Sequence, residues 1–104
     1  ILTAEDPRTE SLDAILEEMA AGCRSRGGVE GETFWRVPDR GRALAWGCAL
    51  ARPGDLVIAC GKGHEQSMAF GATEYPWDDR FALRSALRGT PLLPLPPASL
   101  PGPA

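Results

Sequence analysis

The chain has 104 residues, 43% hydrophobic and 24% charged, with 11 Lys+Arg against 14 Asp+Glu for a formal charge of −3. That is room for one domain, and the mild acidity excludes the basic footprint of a nucleic-acid binder or a polybasic membrane patch. Cys23, Cys48 and Cys60 are odd in number and lack CxxC spacing, which excludes a disulfide scaffold or zinc ribbon and suits a reducing cytoplasm. No apolar run nears the ~20 residues that span a bilayer, and no signal-peptide pattern is present.

The sequence opens on Ile1-Leu2-Thr3, a β-prone stretch without an initiator Met, which reads as a strand entered midway and so as part of a domain. Pro7 lacks the N–H a ladder needs and biases Asp6 away from helix, so Glu5-Asp6-Pro7-Arg8 is expected as a loop. Ser11 fits an N-cap, and Leu12, Ile15, Leu16 and Met19 follow at helical spacing. The pattern predicts a helix over residues 12–21, with Asp13 favoured in its first turn and Gly22 ending it. Gly27, Gly28 and Gly31 make residues 23–32 a surface loop. The β-branched and aromatic content of residues 33–37 predicts a short strand ended by Pro38. Asp39 then caps a helix in which Ala43, Leu44, Gly47, Cys48 and Ala51 recur at 3–4 spacing, before Pro53-Gly54.

Leu56-Val57-Ile58-Ala59-Cys60 is apolar without alternation, the pattern of a central parallel strand covered on both faces. It runs into Gly61-Lys62-Gly63-His64-Glu65. A loop with Tyr75-Pro76-Trp77 follows, and then a last helix capped by Asp78 or Asp79, carrying Phe81, Leu83, Ala86 and Leu87 and ended by Gly89. This alternation predicts an α/β layered sheet with parallel strands and right-handed crossovers. Residues 1–89 form the domain. Residues 90–104 hold six of the ten prolines and no charge, and read as a disordered, polyproline-like tail.

In an open parallel sheet, ligands sit beyond the carboxyl ends of the strands. Two segments fall there, Glu5-Asp6-Pro7-Arg8 and Gly61-Lys62-Gly63-His64-Glu65. Arg8 is suited to a bidentate grip on a carboxylate, while Glu65 and the pair Glu5/Asp6 suit an ammonium. Together they fit a small zwitterion such as an amino acid. The same residues also fit a plainer reading: a surface ion pair worth ~0–1 kcal/mol beside a glycine turn. Lys62 lacks a GxxxxGK[ST] context. Met68 stands where HExxH needs its second histidine, so no zinc site is expected. The cysteines read as small packing residues, and Trp35, Trp46 and Trp77 as core or rim.

The blocks Thr3-Ala4-Glu5-Asp6-Pro7-Arg8-Thr9-Glu10, Pro38-Asp39-Arg40, Gly54-Asp55, Gly61-Lys62-Gly63-His64-Glu65 and Asp78-Asp79-Arg80 carry a resemblance. In order and spacing, up to about residue 89, they are similar to the C-terminal domain of Mur ligases, most closely the MurE (tripeptide synthetase) type. The resemblance implies a Rossmann-like, three-layer parallel sheet, the C-terminal part of that domain and incomplete at its N-terminus. It implies a cytoplasmic, ATP-dependent acid–amino-acid ligase of peptidoglycan synthesis. Such an enzyme activates the D-glutamate carboxylate of UDP-MurNAc-L-Ala-D-Glu as an acyl phosphate, which the amino group of the third residue attacks. Carried over by position, the incoming amino acid falls on Glu5, Asp6, Arg8, Gly61 and Glu65, with Lys62 and His64 supporting. Arg8 would hold the distal carboxylate of meso-diaminopimelate, and Glu65 with the Gly61 carbonyl would meet its ammonium. ATP, Mg2+ and the UDP-MurNAc-dipeptide would be bound mainly by parts outside this chain. No catalytic or metal-ligating residue is then expected within it, and no turnover by the 104 residues alone.

One departure bears on the substrate. Where the family has Asp-Asn, this chain has Glu5-Asp6, and Asp for Asn adds a negative charge and removes two donors. That change favours L-lysine or L-ornithine, whereas Arg8 favours meso-diaminopimelate, which is the preferred reading. The alternatives are a stand-alone Rossmann-like binding module without catalysis and a ligase of the MurF or folylpolyglutamate type. The intact Gly-Lys-Gly-His-Glu favours the MurE type over those other ligases.

Overall fold

The computed structural model describes residues 1–90, so the expected tail lies, from residue 91 onward, outside the described residues. Helix α1 (Leu12–Ser25) starts where Ser11 accepts the Ala14 N–H, with Asp13 in its first turn. It runs past Gly22 instead of stopping there. Nothing packs against that glycine, so keeping it in the helix costs only about 1 kcal/mol of propensity. The end falls at Arg26, whose N–H reaches the Arg24 and Cys23 carbonyls. Of the expected apolar stripe only Leu16 is buried, together with Ala20, while Met19 is 41% exposed.

Residues 1–4 and 35–38 pair in parallel. Leu2 N–H donates to the Trp35 carbonyl at 2.8 Å, Val37 N–H to Leu2 at 2.9 Å, and Ala4 N–H to Pro38 at 3.4 Å. The strand expected over residues 33–37 is thereby reduced to isolated bridges, Leu2 with Arg36 and Glu30 with Phe34. Helix α2 (Arg40–Leu50) follows, with the Asp39 carboxylate accepting the Arg42 N–H as the expected cap.

The central strand expected at residues 56–60 does not form. That run carries no secondary structure, and among the described residues no backbone hydrogen bond joins it to a neighbour. A run apolar on both faces needs a strand on each side and a covering layer on each face; here Leu56 is 81% and Ile58 69% exposed. The regular ladder among the described residues is instead an antiparallel hairpin. Strands β1 (Ser67–Phe70) and β2 (Thr73–Pro76) pair from Ser67↔Pro76 to Phe70↔Thr73. This hairpin replaces the loop expected ahead of the last helix. Its signal was the two-residue connection Gly71-Ala72, with Gly71 at φ 61.

Helix α3 (Asp79–Arg88) is capped by Asp78 and closed by Gly89 at φ 71, both as expected. Its buried face differs from the expected one. Ala82 and Ser85 are buried, whereas Phe81 is 60% and Leu87 77% exposed. The core brings together Ala4, Leu44 of α2, Met68 and Phe70 of β1, Trp77 just after β2 and Ala82 of α3, with Leu12 of α1 and Tyr75 of β2 packed against it. The described residues are thus α/β, with three helices, one hairpin and a parallel bridge between Leu2 and Arg36. Trp77 is a core residue, Trp35 and Trp46 meet edge-on at 5.3 Å nearer the surface, and Cys60 is exposed rather than packed.

Candidate functional site

The two charged loops come together. Lys62 reaches back across 56 residues of sequence to Asp6 Oδ1 at 2.9 Å, and its Nζ also donates to Glu65 Oε2 at 2.9 Å. Its side chain is 1% exposed, against 16% for Asp6 and 47% for Glu65. Asp6 Oδ1 also accepts the Ala69 N–H at 2.9 Å, which fastens the first loop to β1. Burial pushes the Asp6 carboxyl up, but the Ala69 amide and the Lys62 ammonium outweigh it and hold it below the usual aspartate range. Burial likewise pushes the Lys62 ammonium down, and the bonds to Glu65 and Asp6 carry it above the usual lysine value.

Glu5 completes the cluster. Oxygens of Glu5, Asp6 and Glu65 lie within 4.8 Å of one another. Gly61 turns at φ 100, a conformation that favours glycine, and a Cβ there would stand 3.2 Å from Glu5 Cγ, a tight contact that Glu5 would have to yield to. His64 is exposed and outside this network. Of the two supporting residues named from sequence, Lys62 is the one that joins the loops.

Arg8 is presented differently. It has φ 54, the one non-glycine in the left-handed region among the described residues. Its N–H donates to Ala69 and its carbonyl accepts from Gly71, so the hairpin grips the backbone on both sides. A non-glycine residue held there stores strain of the order of 1 kcal/mol or more, a feature that clusters at ligand sites. The guanidinium is exposed and forms no close ion pair among the described residues, although its charge contributes to lowering Asp6.

A buried group lies beneath both loops. Arg40 Nε and Nη2 clasp Asp79 Oδ1 and Oδ2 at 2.8 and 2.6 Å, and Trp77 Nε1 donates to Asp79 Oδ1 at 2.6 Å. Burial pushes the Asp79 carboxyl up, but the Arg40 and Trp77 hydrogen bonds win and hold it below the usual range. In the sequence Arg40 and Asp79 stand only within the spaced motifs Pro38-Asp39-Arg40 and Asp78-Asp79-Arg80. The signal was an Arg after Asp39 and an acid after Asp78, with nothing local to show that they meet.

A groove of about 640 Å³ runs from Glu5, Asp6 and Gly61 along Ile1, Thr3 and residues 56–60. Most of its wall is apolar, so only its charged end belongs to the loop site.

No family model matches the chain. It is 48% identical over 87 residues to a UDP-N-acetylmuramyl-tripeptide synthetase of Roseiflexus sp. (strain RS-1), covering 84% of this chain and 17% of that protein. A second synthetase of the same name, from Treponema pallidum (strain Nichols), is 42% identical over 86% of this chain and 16% of its own length. The UDP-N-acetylmuramoyl-L-alanyl-D-glutamate--2,6-diaminopimelate ligase of Cytophaga hutchinsonii is 38% identical over 84% of this chain and 17% of its own. A solved structure of a ligase of that same name superposes with a TM-score of 0.66 at 29% identity, over 85% of this chain and 17% of that one. The chain therefore spans about a sixth of the length of the curated relatives it matches.

Proposed function

Starting from a chain that belongs to the Mur ligase family, within the C-terminal region of its MurE members, we propose that these residues present the incoming amino acid to an ATP-dependent amide-bond ligase. That ligase adds the third residue of the peptidoglycan peptide to UDP-MurNAc-L-Ala-D-Glu through an acyl phosphate, in the cytoplasm. Among the described residues no helix is long and apolar enough to cross a membrane.

The observation that carries the reading is the pairing of a free guanidinium with a carboxylate cluster on two loops tied by Lys62. Arg8 takes a carboxylate of the substrate, and Glu65 with Glu5 and the Gly61 carbonyl take an ammonium. The geometry also bears on which amino acid is used. The negative charge of Asp6 is met by Lys62 and by the Ala69 amide. With a second bond to its oxygen and less exposure than Glu65, which shares the same lysine, Asp6 offers a cationic tail little, and this supports meso-diaminopimelate over lysine or ornithine.

ATP and Mg2+ belong to the chemistry of the family, but the residues described here do not fit either. Lys62 is spent on two carboxylates instead of a phosphate. Two of the three carboxylates in the Glu5, Asp6 and Glu65 group are already bonded to the Lys62 ammonium, which neutralises charge that a divalent ion would need. Under this reading the nucleotide and metal are held elsewhere in the longer protein. The test is phosphate release by the full-length protein with ATP, Mg2+ and UDP-MurNAc-L-Ala-D-Glu, with each amino acid added in turn. Release that depends on meso-diaminopimelate supports the proposal; release indifferent to every amino acid contradicts it.

A further inference from the structure

The Arg40–Asp79 pair is fully buried, and its chemistry does not stop at the pair. Arg40 Nη1 donates to the Ala4 carbonyl at 3.0 Å, and Nη2 donates to the Cys60 carbonyl at 2.8 Å. Ala4 is the residue before Glu5, and Cys60 the residue before Gly61. The guanidinium therefore grips the last peptide ahead of each charged loop. Its two terminal nitrogens lie about 2.3 Å apart in a rigid plane, so the two carbonyl oxygens lie within about 8 Å of each other. Among the described residues no backbone hydrogen bond joins residues 1–4 to residues 56–60. The polar ties between the two segments are the Arg40 fork at the base of the loops and the Lys62–Asp6 bond nearer their tips.

We infer that Arg40 is a positioning residue for amino-acid binding: oriented by Asp79, it sets the separation and relative height of the Glu5–Arg8 and Gly61–Glu65 loops. This rests on the proposed amino-acid site and adds the device that spaces it. Asp79 is suited to the orienting role because both its oxygens are used, one by Nε and by Trp77 and the other by Nη2. That fixes the plane of the guanidinium and aims its remaining hydrogens at the two carbonyls. A lysine has the charge but a single nitrogen, so it cannot hold the carboxylate in a bidentate clasp and also span both carbonyls.

The test uses two variants of the full-length protein, Arg40→Lys and the paired Arg40→Met/Asp79→Asn. The second leaves no unpaired buried charge and keeps an amide oxygen for Trp77. Expected are folded variants with a lowered but cooperative thermal transition and a KM for meso-diaminopimelate raised tenfold or more. The KM values for ATP and UDP-MurNAc-dipeptide should hold, with kcat at saturating amino acid within about threefold of wild type. Amide exchange should rise together in residues 5–8 and 61–65 and not in α1. Folded variants with an unchanged amino-acid KM would overturn the inference. So would a parallel loss in every KM, or failure of both variants to fold, since either outcome marks a general core staple. If the wild-type protein releases phosphate without regard to amino acid, the proposed function fails. The exchange measurement then still decides whether Arg40 couples the two loops.

Discussion

Lys62 and Asp6, 56 residues apart in the chain, meet at 2.9 Å, with the lysine side chain almost completely buried. A buried ammonium is tolerated only when it is paired and hydrogen-bonded. Asp6 and Glu65 together meet that condition, which makes the two loops one structural unit. Replacing Lys62 with Met leaves a partly buried Asp6 carboxylate with only the Ala69 amide as partner. The expected cost is about 2 kcal/mol, below the full penalty for breaking a buried pair because Asp6 and Glu65 retain access to water. Urea denaturation measures it; a change under about 0.5 kcal/mol would show that the tie contributes little.

Gly61 is the tightest point of the site. Gly61→Ala places a Cβ at φ 100 and 3.2 Å from Glu5 Cγ. Strain of about 1–3 kcal/mol is expected, and the Glu5 side chain must shift by a few tenths of an ångström within the carboxylate cluster. Gly63→Ala serves as the comparison, with φ 57 but open space around it. Gly61→Ala should lower the thermal midpoint more than Gly63→Ala and also weaken amino-acid binding. Equal effects would mean that the Glu5 contact is unimportant.

The pH dependence follows from the direction of three shifts. Asp6 and Asp79 are held below the ordinary aspartate value of 3.8. Their contribution is present above that value and is lost as pH falls through the lower folded-state values. Lys62 is held above the ordinary lysine value of 10.5, so its contribution is present below that value and is lost as pH rises beyond it. Stability is therefore expected to be nearly flat between about pH 5 and 10 as far as these groups decide. Asp79→Asn should flatten the acid limb. Denaturation midpoints across pH check this, and an acid limb unchanged in Asp79→Asn would contradict the assignment.

Local signals carried most of what was legible in the sequence. The caps Ser11, Asp39 and Asp78 and the stop at Gly89 are one-turn chemistry, and each is found in place. The two charged loops were legible because a proline and paired glycines mark them as turns. What escaped depends on partners distant in sequence. Residues 56–60 read as a strand, but an apolar run becomes one only when neighbours supply its hydrogen bonds, and none does so among the described residues. The buried face of α3 is set by the small Ala82, which packs in the core with Leu44, Met68 and Phe70, while Phe81 and Leu87 stay exposed. The hairpin was missed because its strands have four residues each and the second ends in a proline. The Arg40–Asp79 clasp joins residues 39 apart, beyond the reach of any local pattern.

The central claim is that Arg8, held at φ 54 by the hairpin, takes a carboxylate of the incoming amino acid. Two substitutions separate the side chain from the backbone that presents it. Arg8→Gly relieves the left-handed strain and should stabilise the fold by about 1 kcal/mol relative to Arg8→Ala. Both remove the guanidinium, so both should lose the same binding energy, about 1.5–3 kcal/mol for a charge-assisted bond. The most direct measurement is the KM for meso-diaminopimelate in the full-length protein bearing Arg8→Ala or Arg8→Gly, with L-lysine measured alongside. The account predicts a rise of about tenfold to a hundredfold for meso-diaminopimelate in both variants, with L-lysine and ATP little changed. Undiminished use of meso-diaminopimelate by either folded variant would contradict it.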